Sequence, residues 1–139
     1  MSRVAYGGTP SLRETASMPG ANDFRVLIVD DDDRFATALT ALLEADGMTV
    51  VGRAGNGAQA VELAAALEPS VITMDLDMPV LNGVDATRQI APLGIPIVIL
   101  SGTDTAGLAS AAVAAGAAAS LTKSDAPHAL TVLIRSITR

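Results

Sequence analysis

Cysteine is absent from the 139 residues of this chain. Disulfides and thiolate metal sites are therefore excluded, and the absence fits a cytoplasmic protein. Histidine occurs once, at His128. It follows Pro127 at the start of the last expected helix and reads as solvated; with no second histidine or cysteine beside it, a zinc site is not expected. No apolar run reaches the ~18 residues of a membrane-spanning helix. The N-terminal stretch lacks a charged segment followed by a continuous apolar one, so no leader peptide is expected. Positive charge is scarce: Lys and Arg total 9 against 15 Asp and Glu, for a net charge of −6. No basic cluster occurs, which argues against direct nucleic-acid binding and points to a protein or a cation as partner.

Apolar residues, by contrast, make up 50% of the chain, enough for one domain with a buried core. The most informative feature is a junction. Val26, Leu27, Ile28 and Val29 run straight into Asp30, Asp31, Asp32 and Asp33. A short apolar run ending in carboxylates reads as a buried strand that delivers acids to the edge of a sheet. Four like charges in a row cost free energy unless something positive sits beside them, so a cation, a basic side chain or both are expected there.

Residues 1–23 are rich in Gly, Ser, Thr and Pro without periodicity and are expected to form a flexible tail. Residues 24–139 form the expected domain. A first strand spans 25–29. Phe35, Leu39, Leu42 and Leu43 then recur at helical spacing up to an Asp46-Gly47 cap. A second strand covers 48–53, and Gly55-Asn56-Gly57 is a turn, since it lacks the wider glycine pattern of a dinucleotide loop. A helix closed by Pro69, a strand over 71–74 and a short helix over 84–90 follow. A fourth strand spans 95–100, an Ala-rich helix 105–115 is closed by Gly116, a weak fifth strand covers 117–122, and an amphipathic helix ends the chain. Five alternating strand–helix units imply an α/β fold: a doubly wound (βα)5 sandwich on a five-stranded parallel sheet.

Ligands in such folds bind outside the carboxyl ends of the strands. Strand one ends in Asp30 and Asp31, strand three in Asp75, strand four in Ser101 and strand five in Lys123, the sole lysine of the chain. Strand two ends in Arg53 without an acid, which suits an outer position. With the flavodoxin-like order 2-1-3-4-5, strands one and three are neighbours and their acids face each other. Carboxylates grouped in this way suit Mg²⁺, a hard cation that pairs readily with phosphate oxygens. A carboxylate is also a competent nucleophile toward phosphorus, and an ammonium and a hydroxyl nearby can stabilise the charge that spreads over a transferring phosphoryl group. The acid run does not fit a calcium loop, because Phe35 and Ala36 stand where oxygen ligands and a turn-making glycine are needed. Asp32 and Asp33 are better placed to open the first helix, where the macrodipole favours acids.

From about Arg25 onward the chain resembles the receiver domain of bacterial two-component response regulators. The resemblance is carried by residues 26–31 (VLIVDD), by Asp75, Met78, Pro79 and Gly83 in a D-x-x-M-P-x-x-x-G stretch, by Ser101-Gly102, and by Lys123. It implies a phosphorelay component in which a histidine kinase or phosphotransfer protein passes its phosphoryl group to Asp75. It further implies Mg²⁺, with Mn²⁺ as a substitute, held by Asp31, Asp75 and the backbone carbonyl of Asp77, with Asp30 acting through a metal-bound water. Lys123 would pair with the phosphoryl group and Ser101 would serve as the switch hydroxyl. Expected partners are that phosphodonor and an unidentified downstream protein, with a homodimer face on the fourth helix, fifth strand and fifth helix. No nucleic acid or membrane contact and no enzymatic turnover of its own are expected, and the chain reads either as a stand-alone regulator or as a receiver from a longer protein.

Three positions depart from the family pattern. Ser120 stands three residues before the lysine, where an aromatic usually couples to the switch hydroxyl. Ser124 replaces a common proline. Asp77 adds a carboxylate two residues past Asp75, which should repel an incoming phosphodonor and strengthen metal dependence. Two other functions compete with the receiver reading. Asp75-Leu76-Asp77 resembles the nucleophile motif of haloacid-dehalogenase-like phosphohydrolases, although there it follows the first strand. A receiver-like scaffold that has lost phosphorylation is the other; the complete set of acids, lysine and hydroxyl argues against it.

Overall fold

The computed structural model describes residues 24–76, 78 and 80–138. The expected tail, residues 1–23, lies outside them. Val26, Leu27, Ile28 and Val29 are all buried, because their strand, β1 (Arg25–Val29), is covered on both faces. It is followed by α1 (Asp33–Ala45), β2 (Thr49–Ala54), α2 (Gly57–Leu67), β3 (Val71–Asp75), α3 (Gly83–Ile90), β4 (Ile97–Ser101), α4 (Ala109–Ala114), β5 (Ala119–Thr122) and α5 (Ala126–Ile137). The strands form one parallel sheet in the order β2-β1-β3-β4-β5. This is the doubly wound, flavodoxin-like arrangement expected from the alternation of elements.

The period of two along each strand divides the core. Leu27, Val29, Ile72, Met74 and Ile99 pack against α2, α3 and α4, where Ala60, Ala64, Ala86 and Ala112 let the helices lie close to the sheet. Val26, Ile28, Val71, Val98 and Leu100 face the other way, onto Leu39 and Leu43 of α1 and Leu130 and Ile134 of α5.

Boundaries differ from the sequence reading in several elements, among them β2, which runs Thr49–Ala54 rather than 48–53, α3, which opens at Gly83 rather than 84, and β4, which starts at Ile97 rather than 95. β3 and β4 each extend one residue further than expected, so that Asp75 and Ser101 are the last residues of their strands. The expected helix over 105–115 is split: a 3₁₀ segment, Thr103–Leu108, precedes α4. Thr105 accounts for part of this, since its N–H donates to the Gly102 carbonyl at 3.3 Å while its hydroxyl accepts from the Gly102 N–H at 2.9 Å. Such a local side-chain bond competes with α-helical pairing. β5 begins at Ala119 rather than 117, because the Ala117 N–H still bonds back to the Ala112 carbonyl, past Gly116 at φ +125°.

Two glycines set the path of the chain beyond β3. A Cβ on Gly83 would lie 2.1 Å from the Asp75 carbonyl oxygen, so α3 starts directly on the exit of β3. A Cβ on Gly57 would meet the Leu81 carbonyl at the same distance, and the Gly57 N–H donates to that oxygen at 2.9 Å. Asp75 and Leu76 are thus held against the start of α3, and Leu81 against the start of α2, at separations that exclude any side chain.

Candidate functional site

Asp30 leaves the sheet at the end of β1. Its N–H still completes the ladder by donating to the Ala54 carbonyl at 2.9 Å, and the chain then turns toward α1. The carboxylate of Asp30 is buried and both its oxygens are engaged: Oδ1 accepts from the Asp32 N–H at 2.8 Å, and Oδ2 lies 2.9 Å from Lys123 Nζ. Asp32 caps α1, accepting from the N–H groups of Arg34 and Phe35 at 3.0 and 3.3 Å. A cap of this kind contributes about 1 kcal/mol, and it gives Asp32 the helix-opening place expected of it. Asp33 is the first residue of the helix, also as expected.

Asp75, at the end of β3, is 4% exposed, and its Oδ1 lies 3.5 Å from Lys123 Nζ. Carboxylate oxygens of Asp30, Asp31 and Asp75 all lie within 4.8 Å of one another, with Asp31 exposed and the other two buried. Three hard oxygen donors so close together fit a small divalent cation. The register of β3 on β4 pairs Asp75 with Leu100, which puts the buried Ser101 one residue beyond it along the same edge. Lys123 arrives from the end of β5, fixed by its N–H donating to the Ser101 carbonyl at 2.8 Å. Asp30, Asp31, Asp75, Ser101 and Lys123 therefore meet at the carboxyl edge of the sheet. Asp77 and Pro79 lie outside the described residues, and the carbonyl ligand expected from Asp77 lies there with them.

Burial of the Lys123 ammonium pulls its pKa down, but the hydrogen bond to Asp30 and the charges of Asp75 and Asp30 outweigh this and hold it above the ordinary 10.5. The ammonium also sits 4.6 Å from the centroid of the Phe35 ring on α1, a cation–π contact.

Two of the three family departures fall among the described residues, Asp77 being outside them. Ser120 is exposed on β5 opposite Ile99. Ser124 pairs with the Thr122 hydroxyl at 3.1 Å, and Thr122 accepts from the Asp125 N–H at 3.1 Å to start α5. His128 is exposed, as expected. Two contributions were not anticipated from the sequence. Phe35 was read as core helix, and Arg53 as a mere strand end; its guanidinium in fact reaches the Asp30 carbonyl at 3.1 Å and Asp33 Oδ1 at 2.6 Å. The position of Arg53 at the end of the strand beside β1 was the available signal.

The profile of the response regulator receiver domain matches residues 26–135. The chain is 44% identical over 108 residues to a protein-glutamate methylesterase/protein-glutamine glutaminase of Geobacter metallireducens, covering 74% of this chain and 31% of that protein. It is 40% identical over 114 residues to the transcriptional regulatory protein PdtaR of Mycobacterium tuberculosis, covering 81% of this chain and 54% of the regulator. The chain thus spans about a third and about half of these relatives. Among solved structures, the response regulator domain of Thermotoga maritima CheB superposes with a TM-score of 0.77 at 31% identity, covering 83% of this chain and 96% of that domain. A LuxR-family response regulator from Aurantimonas gives 0.76 at 31% identity, covering 82% and 84%. No helix among the described residues is long and apolar enough to cross a membrane.

Proposed function

The chain belongs to the response regulator receiver family of two-component signalling, and from that premise we propose that Asp75 accepts a phosphoryl group from the phosphohistidine of a kinase or phosphotransfer protein. The observation that carries this reading is the approach of one ammonium, Lys123, to two buried carboxylates from adjacent strands, Asp30 and Asp75. A carboxylate oxygen of Asp75 attacks phosphorus; the new O–P bond forms as the P–N bond breaks, and the electron pair passes to the imidazole nitrogen, so that a donor ring protonated on its other nitrogen leaves as neutral histidine. Lys123, kept protonated by its neighbours, moves its charge onto the phosphoryl oxygens, and the Ser101 hydroxyl donates to one of them.

Asp31, Asp75 and the Asp77 carbonyl would hold Mg²⁺ or Mn²⁺, with Asp30 contributing through a water. The bound ion supplies positive charge against the phosphoryl oxygens. The indirect role of Asp30 is supported by its two oxygens, which already serve the Asp32 N–H and Lys123.

The chain acts in this reading as a cytoplasmic phosphoacceptor, without turnover of an outside substrate. Its output is a change in protein contacts on the face of α4, β5 and α5, elements on which Val113 (α4) and Val132 (α5) are exposed and where a second copy would dock. Ser120 offers no ring to report the state of Ser101, so the signal leaves the site by the backbone of β4 and β5, joined where Lys123 N–H meets the Ser101 carbonyl.

Intact-mass measurement after incubation with acetyl phosphate and Mg²⁺ tests the reading. Wild type should gain about 80 Da, one phosphoryl group, and Asp75→Asn should not. Wild type without the gain would favour a scaffold that has lost phosphorylation.

A further inference from the structure

Arg53 stands one residue before the end of an outer strand, outside the group of acids, and yet its guanidinium reaches across the segment that presents them. β1 and β2 pair Ile28 with Arg53 and Val29 with Ala54, and the ladder ends with the Asp30 N–H on the Ala54 carbonyl. From there the chain crosses to α1, whose first residue is Asp33. Arg53 Nη2 donates to the Asp30 carbonyl at 3.1 Å, at the near end of that crossing, and Nη1 meets Asp33 Oδ1 at 2.6 Å, at its far end. Asp31 lies between the two holds, exposed, with its carboxylate turned to the group it forms with Asp30 and Asp75.

We infer that Arg53 is a positioning residue for the divalent-cation site: its two-pronged guanidinium brackets the backbone of the acid run and fixes the direction in which Asp31 presents its carboxylate. This rests on the metal reading of the acids given above. A planar fork suits the task, because two separate N–H groups serve two acceptors at once; an ammonium is a point charge without that geometry. Charge and position make opposite demands here. If Arg53 acted through its charge alone, it would repel a cation, and its removal would tighten binding. If it holds the backbone, its removal frees Asp31 and weakens binding.

The experiment is titration of the whole chain with Mn²⁺, following free Mn²⁺ by its paramagnetic resonance signal, with no phosphodonor present. Arg53→Ala and Arg53→Lys should each raise the Kd about fivefold, roughly the factor that 1 kcal/mol supplies, while circular dichroism stays that of wild type. Arg53→Lys keeps the charge and much of the aliphatic stem, so it reads out the fork even if the alanine variant folds poorly. Unchanged or tighter binding in both variants would overturn the positioning role while leaving the metal site standing. Wild-type affinity in Arg53→Lys with weakening in Arg53→Ala would also overturn it, since charge and stem would then suffice. Wild type that takes up no Mn²⁺ would overturn the metal reading and this inference together.

Discussion

The Lys123 ammonium lies 2.9 Å from Asp30 Oδ2, closer than it lies to the Asp75 oxygen at 3.5 Å. In this state the lysine is chiefly the partner of the acid that begins the site, and it is within reach of the acid that would be phosphorylated. Asp30 is 2% exposed and Asp75 4%, so the ammonium offsets two carboxylates that water cannot.

Lys123→Met should therefore cost about 3 kcal/mol of stability in the absence of metal, because it leaves two buried carboxylates without that cation. A pH dependence accompanies it. The folded-state pKa of Lys123 is raised above 10.5, so its stabilising contribution is complete below that value and is lost as pH rises through the higher folded value. Urea midpoints measured from about pH 9 to about pH 12 should fall more steeply for wild type than for Lys123→Met. Parallel curves would place the stabilisation elsewhere.

The acids and the lysine were legible because each is announced in one dimension: a run of aliphatics ends in Asp30, another ends in Asp75, and the chain has a single lysine to answer them. The role of Arg53 was not, since it depends on the register that sets Ile28 beside Arg53 and on the path of the chain after Asp30. The 3₁₀ segment before α4 was missed for a different reason. Thr105 and Gly102 are three residues apart, and their local bonds shift a balance between two helical geometries that differ little in energy. The contact of Phe35 with Lys123 likewise joins α1 to the end of β5, a distance that periodicity does not measure.

Gly83→Ala should destabilise by about 2 kcal/mol, because the added methyl would press on the Asp75 carbonyl and on the Leu76 backbone, neither of which is a flexible side-chain tip. The displacement falls on the strand end that carries Asp75, the proposed phosphoacceptor, so acetyl phosphate should also label the variant more slowly. Gly107→Ala is the control: a Cβ there meets nothing within 4 Å, and stability should hold or rise by about 0.5 kcal/mol. Equal urea midpoints for the two variants would contradict the close approach of α3 to β3.

The hydroxyl of Thr73 is buried in β3, between Ile28 and Val98, with no hydrogen-bond partner, and Thr87 on α3 has the same deficit. Each loses hydration and gains nothing in return. Thr73→Val keeps the shape and removes the polar atom, so it should stabilise by about 1 kcal/mol. Thr87→Val should act in the same direction. A higher urea midpoint at an unchanged m value is the expected result for both; a lower midpoint for Thr73→Val would mean that its hydroxyl has an acceptor.

Arg25 ties the start of the sheet to the end of a helix. Its Nη1 donates to the Glu68 carbonyl and its Nη2 to the Leu67 carbonyl, both at 2.8 Å, at the C-terminal end of α2. Those carbonyls are among the ones that a helix leaves without partners, and they carry the negative end of its dipole, so a guanidinium suits them on both counts. Arg25→Met retains an unbranched stem and removes the donors. It should cost about 1 kcal/mol, and native-state hydrogen exchange should locate the loss in the last turn of α2, with β3 and β4 keeping their protection. Uniform loss of protection through the sheet would instead show that Arg25 supports the whole fold rather than this one helix end.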